Sequence, residues 1–277
     1  KDFEVIVVDN FSDDDIENIL KKFDFEIIYR KFNNDGVISK SRNFGLSLSR
    51  GKWICFLDSD DTWTSDKLYY TYDEITKKNF DVICNSEWIK YNHKKNIKIW
   101  CYGPFKKKNF YKEMLIFGNV LATSASTINR NFLTKNNLTF SEKKEFVTCE
   151  DYDFFLHIAK LNGKFHFISR PLGVRLIHDN SYSSKISLHK KSFENVINNH
   201  LSKTVTGKIN LNKIMIYDKL KSDIFSFLYK KKFFGLIKII FLQIIQDPLI
   251  VTKIIKKLIF KFIKQKYNYY KYKKLLK

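Results

Sequence analysis

Proline and glycine are scarce, at 3 and 9 of 277 residues, which excludes collagen-like and linker-like architectures. Cysteine is scarce too: Cys55, Cys84, Cys101 and Cys149 lie far apart and form no CxxC pair. That argues against a thiolate zinc site or a disulfide framework and fits a reducing compartment. No apolar run reaches the ~18 residues of a membrane-spanning helix. Acid is short as well, with 29 Asp and Glu against 50 Lys and Arg, a formal charge of +21. Hydrophobic residues, in contrast, make up 44% of the chain, too many for a disordered polymer and enough for a real core.

The positive charge is uneven. Residues 187–277 hold 21 Lys, no Arg and four acids, a net of +17, against +4 for the preceding 186 residues. This asymmetry predicts a nearly balanced globular domain over 1–186 and a basic extension over 187–277. A basic surface favours anionic partners, either nucleic acid or an acidic membrane leaflet.

Short apolar runs alternate with helical patterns through the first part of the chain. Phe3–Asp9, Phe25–Tyr29, Lys52–Leu57 and Phe80–Asn85 read as strands. A helix opened by Ser12, then Val37–Leu48 and Lys67–Lys78, read as the helices between them. The alternation predicts an α/β fold with a largely parallel sheet covered on both faces. Further on, the pattern predicts a strand within Val120–Ile128 and a short helix over Asn131–Asn136. It then predicts a helix over Asp151–Leu161 and two closing strands, Phe165–Ile168 and Gly173–Ile177. Ligands of such sheets bind at the carboxyl ends of strands, where Asp9 and Asp58 stand.

The sharpest local signal is Phe56-Leu57-Asp58-Ser59-Asp60-Asp61-Thr62-Trp63. Three carboxylates at a strand end repel one another unless a cation is present, and oxygen ligands suit Mg²⁺ or Mn²⁺. The same string fits D-x-D-x-T, the motif of haloacid-dehalogenase-like phosphatases, in which Asp58 is the nucleophile and Asp60 the acid/base. A phosphatase of that type carries the motif on its first strand, whereas two strand–helix units precede it here.

Those units carry Val7-Val8-Asp9-Asn10-Phe11-Ser12-Asp13 and, after Gly36, Ser41-Arg42-Asn43-Phe44-Gly45. Cys149-Glu150-Asp151-Tyr152-Asp153 follows the acidic cluster. The ordered set over residues 1–185 resembles the family 2 glycosyltransferases, inverting enzymes of the GT-A fold that use nucleotide sugars. The resemblance implies a mixed, mainly parallel GT-A sheet flanked by helices. It implies nucleotide contacts from Asp9, Asn10, Arg42 and Asp58, and a divalent Mn²⁺ or Mg²⁺ on Asp58 and Asp60. It implies Asp151 as the base that takes the acceptor proton, and His178, which follows an apolar strand in Val174-Arg175-Leu176-Ile177-His178, as a further metal ligand. Asn10 departs from the usual Asp of the pattern, which leaves the nucleobase open. Thr148-x-x-Asp151 is also a capping box, an alternative reason for an acid at that helix start. The chain joins the family pattern just before its second strand and opens on Lys1, which implies a piece of a longer protein.

In the extension, Lys253, Lys256, Lys257, Lys261 and Lys264 fall on one face of a helix over Leu249–Lys264, with Ile, Leu, Val and Phe on the rest. A second apolar segment, Phe233–Gln246, precedes it. This is the pattern of a basic helix lying in a membrane interface through residues 233–277. The absence of Arg argues against nucleic acid as the partner.

Together these features predict a glycosyltransferase, peripheral on the inner face of the cell membrane, in surface polysaccharide or glycan biosynthesis. The expected donor is a nucleotide sugar, a UDP-sugar foremost, and the acceptor a glycan or lipid-linked glycan. The rival readings are the phosphatase and a non-catalytic basic protein that binds membrane or nucleic acid.

Overall fold

The structure is a computed structural model, described over residues 3–92, 94–103, 109–178, 186–202, 211–212, 214–220 and 248–276. The elements in chain order are β1 (Val5–Asp9), α1 (Ile16–Leu20), β2 (Ile27–Lys31), α2 (Ile38–Leu48), β3 (Trp53–Cys55) and β4 (Thr62–Trp63). Next come α3 (Lys67–Lys77), β5 (Val82–Tyr91), β6 (Lys94–Trp100), α4 (Phe110–Phe117), β7 (Ser126–Asn129) and α5 (Arg130–Lys135). The last are α6 (Glu150–Lys160), β8 (Phe165–Ile177), α7 (Ile186–Ser202) and α8 (Pro248–Tyr272).

β1 and β2 pair in parallel as a small sheet of their own. The larger sheet has the order β3-β7-β5-β8-β4, with β6 also on β5. It is mixed, but only its β5–β8 pairing is parallel; β3–β7, β4–β8, β5–β6 and β5–β7 are antiparallel. The expected bias toward parallel pairing is thus corrected. β6 follows β5 after two residues, too few for the crossover that a parallel neighbour requires. The two expected closing strands are one, β8, whose register shifts against β5 around Asn85–Trp88.

β5 is buried along Val82–Ile89, as a strand covered on both faces should be. Below it lies α6, whose Tyr152, Phe154, Phe155, Leu156 and Ile158 are all fully buried. A helix buried on nearly every side must sit inside a domain. Phe154 stacks on Phe140 at 4.0 Å, and Phe140 meets Phe56 edge-on at 5.2 Å. These rings tie α6 to the strand end that carries the acidic cluster. Burying each such side chain stabilises by about 1.5–3 kcal/mol. α7 adds Phe193, Val196 and Ile197 to the same core.

α8 forms as its periodicity predicts, but Lys257, Lys261 and Lys264 turn toward the domain rather than outward. It lies across β6 and β8. Lys257 donates to Glu113 at 2.9 Å and sits 3.8 Å over the Phe117 ring. Lys261 lies 3.9 Å over Trp100, and Lys264 donates to the Gly103 carbonyl at 2.9 Å. Ile254 is fully buried beside Ile116, Tyr217 and Leu220. Ile259, Phe260, Ile263, Tyr267 and Tyr270 are exposed instead, between 45% and 73%. Long lysine stems cover apolar surface readily, and their heads find ring faces there. The Lys253 side chain and the apolar segment 233–246 lie outside the described residues.

Candidate active site

Three strand ends and one helix start assemble the site. β1 delivers Asp9, which is buried and accepts bonds from the Ser12 amide (2.9 Å), the Ser12 hydroxyl (2.7 Å) and the Tyr29 hydroxyl (2.8 Å). Burial pushes its pKa up, but these donors outweigh burial and hold it below the ordinary value. Ser12 is therefore committed to Asp9, and Asp15 caps α1 in its place. Asn10 accepts from the Asn34 amide at 2.9 Å, and the Asn34 side chain donates to Ser41 at the same distance. Gly36, at φ +74°, supplies the left-handed turn that lets the Asn34 side chain accept its amide and start α2. Asp9 and Asn10 thus form one group, linked to the next through Asn34 and Ser41.

The second group centres on Arg42. Its guanidinium donates through Nη2 to Asp58 and through Nη1 to Glu150, each at 2.8 Å, with Phe140 beneath it at 5.4 Å. Burial lowers the pKa of Arg42, yet the two carboxylates outweigh burial and keep it charged. Arg42 therefore fastens the acidic loop to the first turn of α6. Its Nε and the second oxygen of Glu150 are buried without a protein partner. Among the described residues these are unusual atoms, since buried polar groups are normally paired. Glu150 is the member that sequence reasoning missed. Its signal was adjacency alone, Glu150-Asp151 at a helix start, and nothing there pointed across 108 positions to Arg42.

Asp151 stands at the mouth of α6, half-buried. It accepts from the Asn119 side chain at 2.9 Å and from the Tyr152 amide at 2.7 Å. Burial and the neighbouring Glu150 charge raise its pKa to about 6, against the opposing pull of Arg42. The capping-box alternative fails on geometry. Thr148 sits at φ 83°, its hydroxyl faces His189 at 3.2 Å, and α6 has no side-chain cap.

The third group joins the acidic loop to the end of β8. His178 Nε2 lies 3.1 Å from Asp60 Oδ2. Asp61 accepts from the Leu176 amide at 3.2 Å, and β4 pairs with Val174 and Gly173. Gly173 permits this approach, because a Cβ there would stand 2.9 Å from the Thr62 carbonyl. Two ligand atoms 3.1 Å apart match adjacent positions around one divalent ion, so the Asp60 and His178 donors fit a bound Mn²⁺ or Mg²⁺. Asp58 is on the same loop, its Oδ1 held by Arg42. Trp63, Trp88 and Trp100 are packed into the domain: Trp88 is 2% exposed, Trp63 donates to the Ser124 carbonyl, and Trp100 lies under Lys261.

Comparison with known proteins bears on the family and the fold. Residues 1–133 match the model of the family described as Glycosyl transferase family 2. A cholesterol galactosyltransferase of Borreliella burgdorferi is 27% identical over 217 residues, 69% of this chain and 57% of that protein. Staphylococcus aureus TarS, solved in complex with UDP-GlcNAc, superposes with a TM-score of 0.58 at 19% identity, covering 82% of this chain and 64% of that one. The mannosyltransferase PcManGT of Pyrobaculum calidifontis, in complex with GDP-Man and Mn²⁺, gives a TM-score of 0.50 at 13% identity, over 73% and 55% of the two chains. The chain therefore spans rather less than two thirds of the length of these proteins. At such identities the structural likenesses establish the fold, which is GT-A. Over residues 1–133 the chain matches glycosyltransferase family 2, and the motif order and the GT-A fold agree with that match.

Proposed function

We propose that this protein transfers a sugar from a nucleotide diphosphosugar, a UDP-sugar foremost, to a hydroxyl of a glycan or lipid-linked glycan, with inversion. The observation that carries the reading is the Arg42 bridge. It ties the strand-end carboxylate Asp58 to the α6 start, where Asp151 would face a diphosphate held by the acidic loop. Asp151 takes the acceptor proton as the acceptor oxygen bonds to the anomeric carbon. The bond from that carbon to the diphosphate oxygen breaks, and the nucleoside diphosphate leaves. A base with a pKa near 6 is ionised at neutral pH yet basic enough to share a proton. Asp58, Asp60 and His178 are the residues that would hold the divalent ion, which supplies positive charge to the departing diphosphate. Asp9 and Asn10, fixed by Ser12, Tyr29 and Asn34, would meet the nucleoside.

The acceptor class draws support from α8. Its exposed face presents Ile259, Phe260, Ile263, Tyr267 and Tyr270 at helical spacing, with Lys256, Lys266, Lys271, Lys273 and Lys274 exposed around them. An apolar stripe ringed by lysine suits the headgroup region of an anionic bilayer. No described helix is long and apolar enough to cross a membrane. The protein would thus sit peripherally on the inner face of the cell membrane, where lipid-linked acceptors of surface polysaccharide biosynthesis are presented.

The decisive variant is Asp151→Asn. It should lower kcat by roughly 10²–10⁴-fold and leave donor affinity nearly unchanged, because the base acts only on the acceptor proton. Transfer at the parent rate would remove Asp151 from the reaction.

A further inference from the structure

A second group of ligating side chains lies on the other side of α6. Asp153 and His157 are four residues apart, on one face of the helix. His200, near the end of α7, meets them. Its Nε2 lies 3.0 Å from Asp153 Oδ1, and His157 Nε2 lies 3.7 Å from the same oxygen. All three ligand atoms fall within 4.8 Å of one another. His200 and Asp153 are almost wholly buried, at 1% and 2% exposure. The second nitrogen of His200, Nδ1, is 3.1 Å from the Tyr111 hydroxyl on α4.

The make-up of this group is the telling feature. Among the described residues Asp153 is paired with two imidazoles, those of His157 and His200. Buried carboxylates are kept where they are paired or coordinate a metal. We infer that Asp153, His157 and His200 hold a divalent transition metal of the zinc type, with water as a fourth ligand on the open side of His157. The donor set is right for it, since two imidazole nitrogens and one carboxylate oxygen suit Zn²⁺ and are poor for Mg²⁺. The spacing is right as well. Tetrahedral ligands at about 2.0–2.1 Å from an ion stand roughly 3.3 Å apart, and the observed 3.0 and 3.7 Å bracket that value. The Tyr111 hydroxyl fixes the ring of His200 from behind, as an outer partner of a metal-bound histidine does. The His157 side chain, 32% exposed, gives the ion a way in and has room to close the remaining gap.

This site differs from the donor site in place and in chemistry. Asp153 is two residues past Asp151, so it projects from the opposite side of α6 and cannot reach the acidic loop. The ion would tie α6 to α7, and through Tyr111 to α4. Its role is to brace the helix that carries the proposed base.

The test is zinc uptake by the full chain carrying Asp60→Ala and His178→Ala, which silence the donor site, measured by competition with a chromophoric chelator. One equivalent of Zn²⁺ per chain is expected, together with a rise in melting temperature. His157→Ala, at a partly exposed position, should weaken uptake by at least 100-fold while circular dichroism stays that of the parent. Tyr111→Phe should weaken it by about 10–100-fold. No uptake by the parent, or uptake that His157→Ala leaves unchanged, would overturn the site.

Discussion

Two charged stretches of this molecule treat their charge in opposite ways. The acidic loop at 58–61 keeps its carboxylates at a strand end, engaged by polar neighbours: Asp58 by Arg42, Asp60 by His178, Asp61 by the Leu176 amide. The lysine-rich α8 turns Lys257, Lys261 and Lys264 inward, over Phe117 and Trp100 and onto the Gly103 carbonyl, and shows Ile259, Phe260 and Ile263 outside. Small carboxylates at a strand end cannot retreat, because their backbone fixes them. Long lysines can, because four methylenes are apolar surface. Charge in a sequence therefore locates a site when the side chain is short. It does not orient a helix when the side chain is long.

The comparison is tested most severely at Arg42, where the loop and α6 are joined. Arg42→Ala leaves Asp58 and Glu150 facing each other with no cation. Breaking a buried pair in this way costs about 3–5 kcal/mol, so chemical denaturation should show a large loss. Arg42→Lys should recover only part of it, since one ammonium cannot bridge two carboxylates as a planar guanidinium does. A loss under 1 kcal/mol for Arg42→Ala would mean that the bridge is incidental.

On the α8 side the matching variant is Phe260→Ser with Ile263→Ser. Each exposed side chain that inserts into lipid contributes about 1.5–3 kcal/mol, so the pair should lower binding to anionic vesicles well over tenfold. The melting temperature should not change, since neither side chain packs against the domain. Lys261→Met provides the converse control. It should shift stability by less than about 1 kcal/mol and leave vesicle binding intact. Vesicle binding that follows Lys261 and ignores Phe260 would reverse the orientation of the helix.

Most of the strand and helix alternation was legible, because short apolar runs ending in acid and helical spacings are local features. The acidic cluster, Arg42, Asp151 and His178 were legible as motifs in order. Three things were not. β6 begins Lys-Lys-Asn, which reads as loop until its pairing with Glu87, Trp88 and Ile89 is known. Glu150 gains its role from a partner 108 residues away. The inward face of α8 depends on Trp100 and Phe117, which its own sequence does not contain.

A smaller effect separates catalysis from structure at α6. Because the folded chain raises the pKa of Asp151 to about 6, it holds that proton more tightly than the unfolded chain does. The stability this contributes is full below the ordinary carboxylate pKa and is lost as pH rises through about 6. Transfer should run the other way, falling about tenfold for each pH unit below 6 as the base becomes protonated. Asp151→Asn cannot ionise, so at pH 7 it should melt no lower than the parent. A lower melting point would mark Asp151 as a helix-start acid first.

The most direct measurement is calorimetric titration of the protein with UDP, with and without Mn²⁺, in the parent, in Asp60→Ala and in Asp151→Asn. The account predicts metal-dependent binding that is lost in Asp60→Ala and kept in Asp151→Asn. Equal affinity with and without metal, or undiminished binding in Asp60→Ala, would contradict it.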